Sequence, residues 1–292
     1  MIQFGTVFLS SLAVCTALGA KPSMVVEGPE VGDDGIINYT VTSPYQTRPT
    51  TVEVLLPDNA PEGGPYPALY ILPVNDGLDG AWGSGIQEAK RHNIHNLYKV
   101  ICVSPEYDYT PWYGDHPTDP ALAQESYLLN VVIPVVEQHF PVLKGRDGRL
   151  LFGFSKSGFG AITILLRNLD AIGKAAAWDA PVMMKSILPK QEEMNVVFVN
   201  QDNFDKYCIP ELAARRAAVL KDDVPRIVLV SNGDPNASLS ALHNLLDAHK
   251  IPHRYQVDEK RKHDSRTGWF PVAARLLFAP EAGPDEETGA EE

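Results

Sequence analysis

The sequence predicts an α/β fold: a mostly parallel, buried central sheet with helices on both faces and antiparallel strands at its N-terminal entry. Three observations predict it. Short apolar runs recur at residues 68–74, 100–104, 150–154, 175–178, 196–199 and 227–231, the pattern of strands covered on both faces. Helical stretches separate several of them, at 124–140, 212–220 and 239–248. Ahead of all these, residues 24–27, 36–42 and 51–56 are β-branched and alternating, and a Pro/Gly turn at 61–67 parts this antiparallel entry from the first central strand.

Taken in order, each later element has its own reason. In 124–140 a core-facing stripe of Tyr127, Leu128, Val131, Val132 and Val135 predicts a helix, which Pro134 should bend or interrupt because it removes a backbone donor. Residues 255–257 read as the last strand and 269–278 as a terminal helix. No internal repeat and no Gly/Ser or Pro-rich linker divides the 292 residues, so 24–278 is expected to be a single domain.

The formal net charge of −12 argues against nucleic acid or an anionic membrane as partner. Half of it belongs to residues 279–292, where Glu281, Asp285, Glu286, Glu287, Glu291 and Glu292 stand without a cation, the composition of a disordered tail. At the other end, an apolar run at 7–18 followed by small residues has the length of a signal-peptide core and is too short for a comfortable membrane span. Residues 1–20 are therefore expected to be a signal peptide and the protein secreted or periplasmic, without an integral span once it is removed. Cleavage would leave Cys102, in an apolar strand, and Cys208, beyond a helix-like stretch, a pair that indicates no obligatory disulfide. No Cys/His spacing suggests zinc, and His92 and His95 fall in a polar connector.

Chemistry enters at residues 150–161. The apolar strand Leu150-Leu151-Phe152-Gly153-Phe154 runs into Ser155-Lys156-Ser157-Gly158-Phe159-Gly160 and then into an apolar helix. A serine at such a strand-to-helix turn is strained, with its hydroxyl pushed out at the end of the sheet. Gly153 lets strand and helix approach, Gly158 and Gly160 relieve crowding below, and Ser157 occupies a place where Gly is usual. The competing reading, a phosphate-cradling turn, fails on two counts: the turn lies mid-chain, and no Gly-Lys-Ser/Thr sequence closes it.

A serine hydroxyl needs a base and a third group to orient that base. His263 lies in a polar loop beyond the last strand and is the expected base, whereas His243 and His249 belong to a helix, His139 ends one and His253 starts a strand. The acid should fall between Ser155 and His263 at the carboxyl end of a strand. Asp234, after the strand 227–231, is the first choice, although Asp before Pro is also good turn chemistry. Asp202 and Asp179 are reserves at the ends of other apolar runs. An oxyanion needs two backbone N–H groups, one from Lys156 and one from the end of 68–74, so Val74 or Asn75. Trp112 and Tyr113, with Trp178 or Trp82, are candidates for a substrate-binding wall.

Pro67-Ala68-Leu69-Tyr70-Ile71-Leu72, Thr110-Pro111-Trp112-Tyr113-Gly114-Asp115, the elbow at 153–161 and His263-Asp264 ahead of Trp269 together resemble the esterase branch of the α/β-hydrolase superfamily. That branch includes S-formylglutathione hydrolases, feruloyl and acetylxylan esterases, and mycolyltransferases. Two positions depart from its pattern: Pro73-Val74 stands where His-Gly is usual, and Ser157 replaces a Gly. The resemblance implies an α/β-hydrolase fold and an acyl-serine mechanism without metal or organic cofactor, acting on a small-molecule or carbohydrate ester. A serine carboxylesterase is the leading expectation. A non-catalytic hydrolase-fold binding protein and an acyltransferase to an alcohol acceptor are the alternatives.

Overall fold

The computed structural model describes residues 24–58, 60, 63–77, 82–221, 223–233, 238–259 and 262–280. The expected signal peptide, most of the acidic tail and Asp234 lie outside the described residues. The strands are β1 (Val25–Val31), β2 (Ile37–Thr42), β3 (Thr50–Leu55), β4 (Ala68–Ile71), β5 (Ile101–Pro105), β6 (Arg149–Phe154), β7 (Lys174–Trp178), β8 (Ile227–Ser231) and β9 (His253–Val257). They form one sheet in the order β1-β2-β3-β5-β4-β6-β7-β8-β9. The first three strands and the β3–β5 pairing are antiparallel, and every pairing from β5 through β9 is parallel.

Both faces of the parallel region are covered, which is why its strands read as unbroken apolar runs. Side chains alternate across the sheet. Leu151, Ala175, Ala177, Ile227 and Leu229 face one core layer; Phe152, Phe154, Ala176, Trp178, Val228 and Val230 face the other. The first layer is closed by helices that include Lys156–Arg167 and Ile209–Leu220, the second by Gly85–Arg91 and Trp269–Leu277.

This topology locates a crevice before any side chain is considered. From β4 the chain turns toward β5, through Gly85–Arg91 on one face; from β6 it turns toward β7, through Lys156–Arg167 on the other. The connections diverge between the neighbours β4 and β6, and open α/β sheets gather ligands beyond the carboxyl ends of strands at such a switch point. Ser155 is the first residue after β6.

Two expected elements differ. Residues 196–199 are not a strand but the end of the helix Glu192–Phe198. Met194, Val197 and Phe198 are spaced i, i+3, i+4 and all buried, while Glu192 and Glu193 complement the helix N-terminus. The short apolar run carried no information to separate the two periods. In the helical segment 124–140, Pro134 is accommodated without a break: a wider five-residue turn at Leu128–Val132 joins Gln124–Tyr127 to Ile133–His139 and removes the bond the proline cannot make.

Candidate active site

Ser155 has φ 53° and ψ −125°, a conformation that L-residues rarely adopt. The turn survives because its surroundings fix it. Ser155 N–H donates to the Trp178 carbonyl on β7, and the carbonyl of Ser155 accepts from Gly158 and Phe159. Ser157, the departure from the usual glycine, is buried, and its hydroxyl accepts from the Phe154 N–H at 2.9 Å and donates to the Phe154 carbonyl at 2.8 Å. It thus ties the end of β6 to the helix. Gly153 is required on steric grounds: a Cβ there would stand 2.1 Å from the Ser157 carbonyl oxygen. Lys156 is the first residue of the helix Lys156–Arg167, so its N–H is among the donors that a helix leaves without an internal partner.

His263 is where a base was expected, in the loop between β9 and the helix Trp269–Leu277. Its Nδ1–H donates to Asp179 Oδ2 at 2.7 Å. That bond assigns the proton to Nδ1 and leaves Nε2 as the acceptor. Asp234, the expected acid, lies outside the described residues; the carboxylate that holds His263 among them is Asp179, the first residue after β7. The physical reason is adjacency: Asp179 has φ 41°, follows the strand next to the serine's own, and turns its side chain toward the His263 loop. Asp202, the other reserve, is exposed in the short helix Gln201–Phe204.

The imidazole rests on aromatic rings. The Phe154 centroid is 4.7 Å away, and Trp82 meets the ring edge-on at 5.4 Å. Beneath them Trp269 stacks on Phe152 and Phe154 from β6 and on Trp178 from β7, with centroids 5.2, 5.9 and 6.0 Å apart. This layer fixes the ends of the two strands that carry Ser155 and Asp179. Asp264, beside the histidine, is engaged elsewhere: Arg266 binds both its carboxylate oxygens and holds its carboxyl down at about 2.

Ser155, Asp179 and His263 open on one cavity of about 370 Å³, lined also by Ala180, Pro181, Ser231, Asn232, Ser238 and Leu239. Val74 and Asn75 border a separate small hollow with Trp82 and Gly83. The loop that carries them is anchored from behind by the aromatic segment: Tyr113 O–H donates to the Pro73 carbonyl, Thr110 O–H to Asp76 at 2.8 Å, and Gly77 N–H to the Tyr107 carbonyl at 3.1 Å.

Trp112 and Tyr113 do not form the expected substrate wall. Both are buried, at 2% and 0% exposure. Gln124 Oε1 accepts from both backbone N–H groups, at 2.8 and 2.9 Å, and turns Tyr113 to φ 61° so that its ring lies beneath the elbow helix. A Cβ on Gly160 would strike that ring at 2.2 Å. The glycine was the signal in the sequence that something large packs there. Trp178 is fully buried as well, whereas Trp82 is 36% exposed beside His263. Lys156 carries its ammonium over the Trp112 ring at 5.7 Å; burial lowers its pKa, against the opposing pull of Glu193 and Asp76.

The mostly parallel sheet, nine-stranded among the described residues, with a strained serine after β6 and a histidine beyond β9, defines the α/β-hydrolase fold. Residues 43–255 match the family described as "Putative esterase", and the chain belongs to that family. It is 26% identical over 145 residues to Esterase Rv1288 of Mycobacterium tuberculosis, a match covering 46% of this chain and 30% of the relative. The chain thus spans about 30% of the length of the curated relatives it matches. Among solved structures it is similar to an S-formylglutathione hydrolase from Agrobacterium tumefaciens, with TM-score 0.63, 15% identity, and coverage of 86% of this chain and 95% of that one. It is also similar to FphF, a fluorophosphonate-binding serine hydrolase of Staphylococcus aureus, with TM-score 0.63, 17% identity, and coverage of 87% and 96%.

Proposed function

We propose that this protein is a serine carboxylesterase acting through an acyl-serine intermediate. The observation that carries the proposal is the opening of Ser155, on its strained turn, and of the His263–Asp179 pair onto one cavity. Ser155 Oγ attacks the ester carbonyl while His263 Nε2 takes its proton. Asp179 stabilises the imidazolium and holds its orientation. The Lys156 N–H donates to the oxyanion, with Val74 or Asn75 as the second donor. His263 then returns the proton to the departing alcohol. In the second half-reaction, water, activated by the same imidazole, releases the acid. Among the described residues no hydrogen bond joins Ser155 Oγ to the imidazole, and such bonds commonly tighten only once substrate is bound.

The cavity suggests the substrate class. Ser231, Asn232 and Ser238 line it, and its volume of about 370 Å³ suits a small ligand. A compact ester with a polar alcohol, such as a carbohydrate ester with a short acyl group, fits this lining better than a long aliphatic chain. Hydrolysis of p-nitrophenyl esters checks this directly: kcat/KM is expected to fall steadily from acetate to octanoate, and a profile rising toward octanoate contradicts the reading. Adding alcohol acceptors to the same assay separates hydrolysis from acyl transfer by the products formed.

A further inference from the structure

A second cluster of chemically capable side chains stands at the other edge of the sheet. The helix Ser238–Ala248 begins beside the cavity and carries His243 and Asp247 one turn apart, on the same face. His253, the first residue of β9, meets them. His243 Nδ1 and His253 Nε2 are 2.7 Å apart, and the Asp247 carboxylate lies 3.5 Å from His243 Nε2 and 3.9 Å from His253 Nε2. One ligand atom from each of the three residues falls within 4.8 Å of the others.

We propose that His243, Asp247 and His253 bind a divalent first-row transition ion of the zinc class. The donor set is the first reason. Two imidazoles and a carboxylate suit zinc and its neighbours, whereas calcium and magnesium prefer oxygen donors throughout. Ligand orientation is the second. His253 Nδ1–H donates to the Ile251 carbonyl at 2.8 Å, which leaves Nε2 deprotonated and directed at the cluster, the outer-shell arrangement of metal-binding histidines. The His243 ring stacks on Tyr255 at 4.1 Å and 9°, so its plane is also set, and the Tyr255 hydroxyl is itself bonded to Ser240 at 2.9 Å. Spacing is the third: donors about 2.0–2.1 Å from a tetrahedral ion stand about 3.4 Å from one another, so small side-chain rotations suffice.

The fourth coordination position would face solvent. The His253 side chain is 4% exposed and fixes the site, while Asp247, at 61%, closes it from outside. Sequence spacing conceals this arrangement, because the helix supplies an i, i+4 pair and the third donor arrives with the following strand.

Isothermal titration of the untagged full chain with Zn²⁺ alone tests the proposal. One equivalent is expected to bind, with affinity reduced at least about tenfold in His243→Ala, His253→Gln and Asp247→Ala, and retained in His263→Ala. Co²⁺ in place of Zn²⁺ should give the intense visible absorption of four-coordinate cobalt, lost in the same three variants. Asp247→Ala keeps the test decisive if a histidine variant fails to fold, since that side chain is largely exposed. Unchanged Zn²⁺ affinity in Asp247→Ala, or binding lost only in His263→Ala, overturns the assignment.

Discussion

Ser155→Ala is expected to abolish hydrolysis of a short activated ester, by roughly 10⁶-fold in kcat on the scale seen when a triad serine is removed. Its effect on stability should be small, within about 1 kcal/mol. The asymmetry follows from the structure. The turn is held by backbone bonds to Trp178, Gly158 and Phe159 and by the Ser157 hydroxyl, and none of these involves Ser155 Oγ. The substitution therefore removes the reacting atom and leaves the scaffold. Activity near wild type, with unchanged circular dichroism, would move the nucleophile elsewhere. Ser157 is a poor rival because both of its hydroxyl bonds go to Phe154 and it is fully buried.

Asp179→Asn should cost roughly 10⁴-fold in kcat, the scale observed when a triad carboxylate becomes an amide. Asparagine occupies the same space but can present its NH₂ group to Nδ1, which favours the wrong tautomer of His263. The bond at stake is the 2.7 Å contact between His263 Nδ1 and Asp179 Oδ2. Asp234→Asn should cost less than about tenfold. The reverse pattern, with Asp234 the costly position, would return the acid to the loop after β8 and leave Asp179 as an incidental partner.

That choice shows what the sequence could and could not convey. The elbow was legible because its demands are local: Gly153 and Gly160 are needed wherever a strand end, a helix and a large ring approach within a few ångströms, and those needs are written in adjacent residues. His263 was legible because it falls beyond the last strand. The acid was not. Both Asp179 and Asp234 follow apolar strands, and β7 and β8 are parallel neighbours, so chain order alone does not say which carboxylate reaches the imidazole. The 2.7 Å contact with His263 is what favours Asp179. The same limit explains Trp112 and Tyr113. Loop aromatics suggest contact with a ligand, but the backbone turn enforced by Gln124, twelve and eleven residues away, sends them under the helix instead.

The departures in the loop after β4 also have a physical account. Pro73 has no N–H to offer, yet its carbonyl accepts from the buried Tyr113 hydroxyl, so the loop is fixed from behind where a more permissive glycine sequence is usual. The aromatic segment thus packs behind the loop and beneath the elbow helix, where it holds both in place.

In this mechanism Ser155 is a nucleophile activated by His263. Labelling the full chain with a fluorophosphonate and mapping the modified peptide tests this most directly, because the reagent reports activation and position together. A single phosphonylated peptide containing Ser155 is expected, absent in Ser155→Ala and strongly diminished in His263→Ala. Modification of a different serine, no modification at all, or labelling of Ser155 that proceeds at full rate in His263→Ala would contradict it.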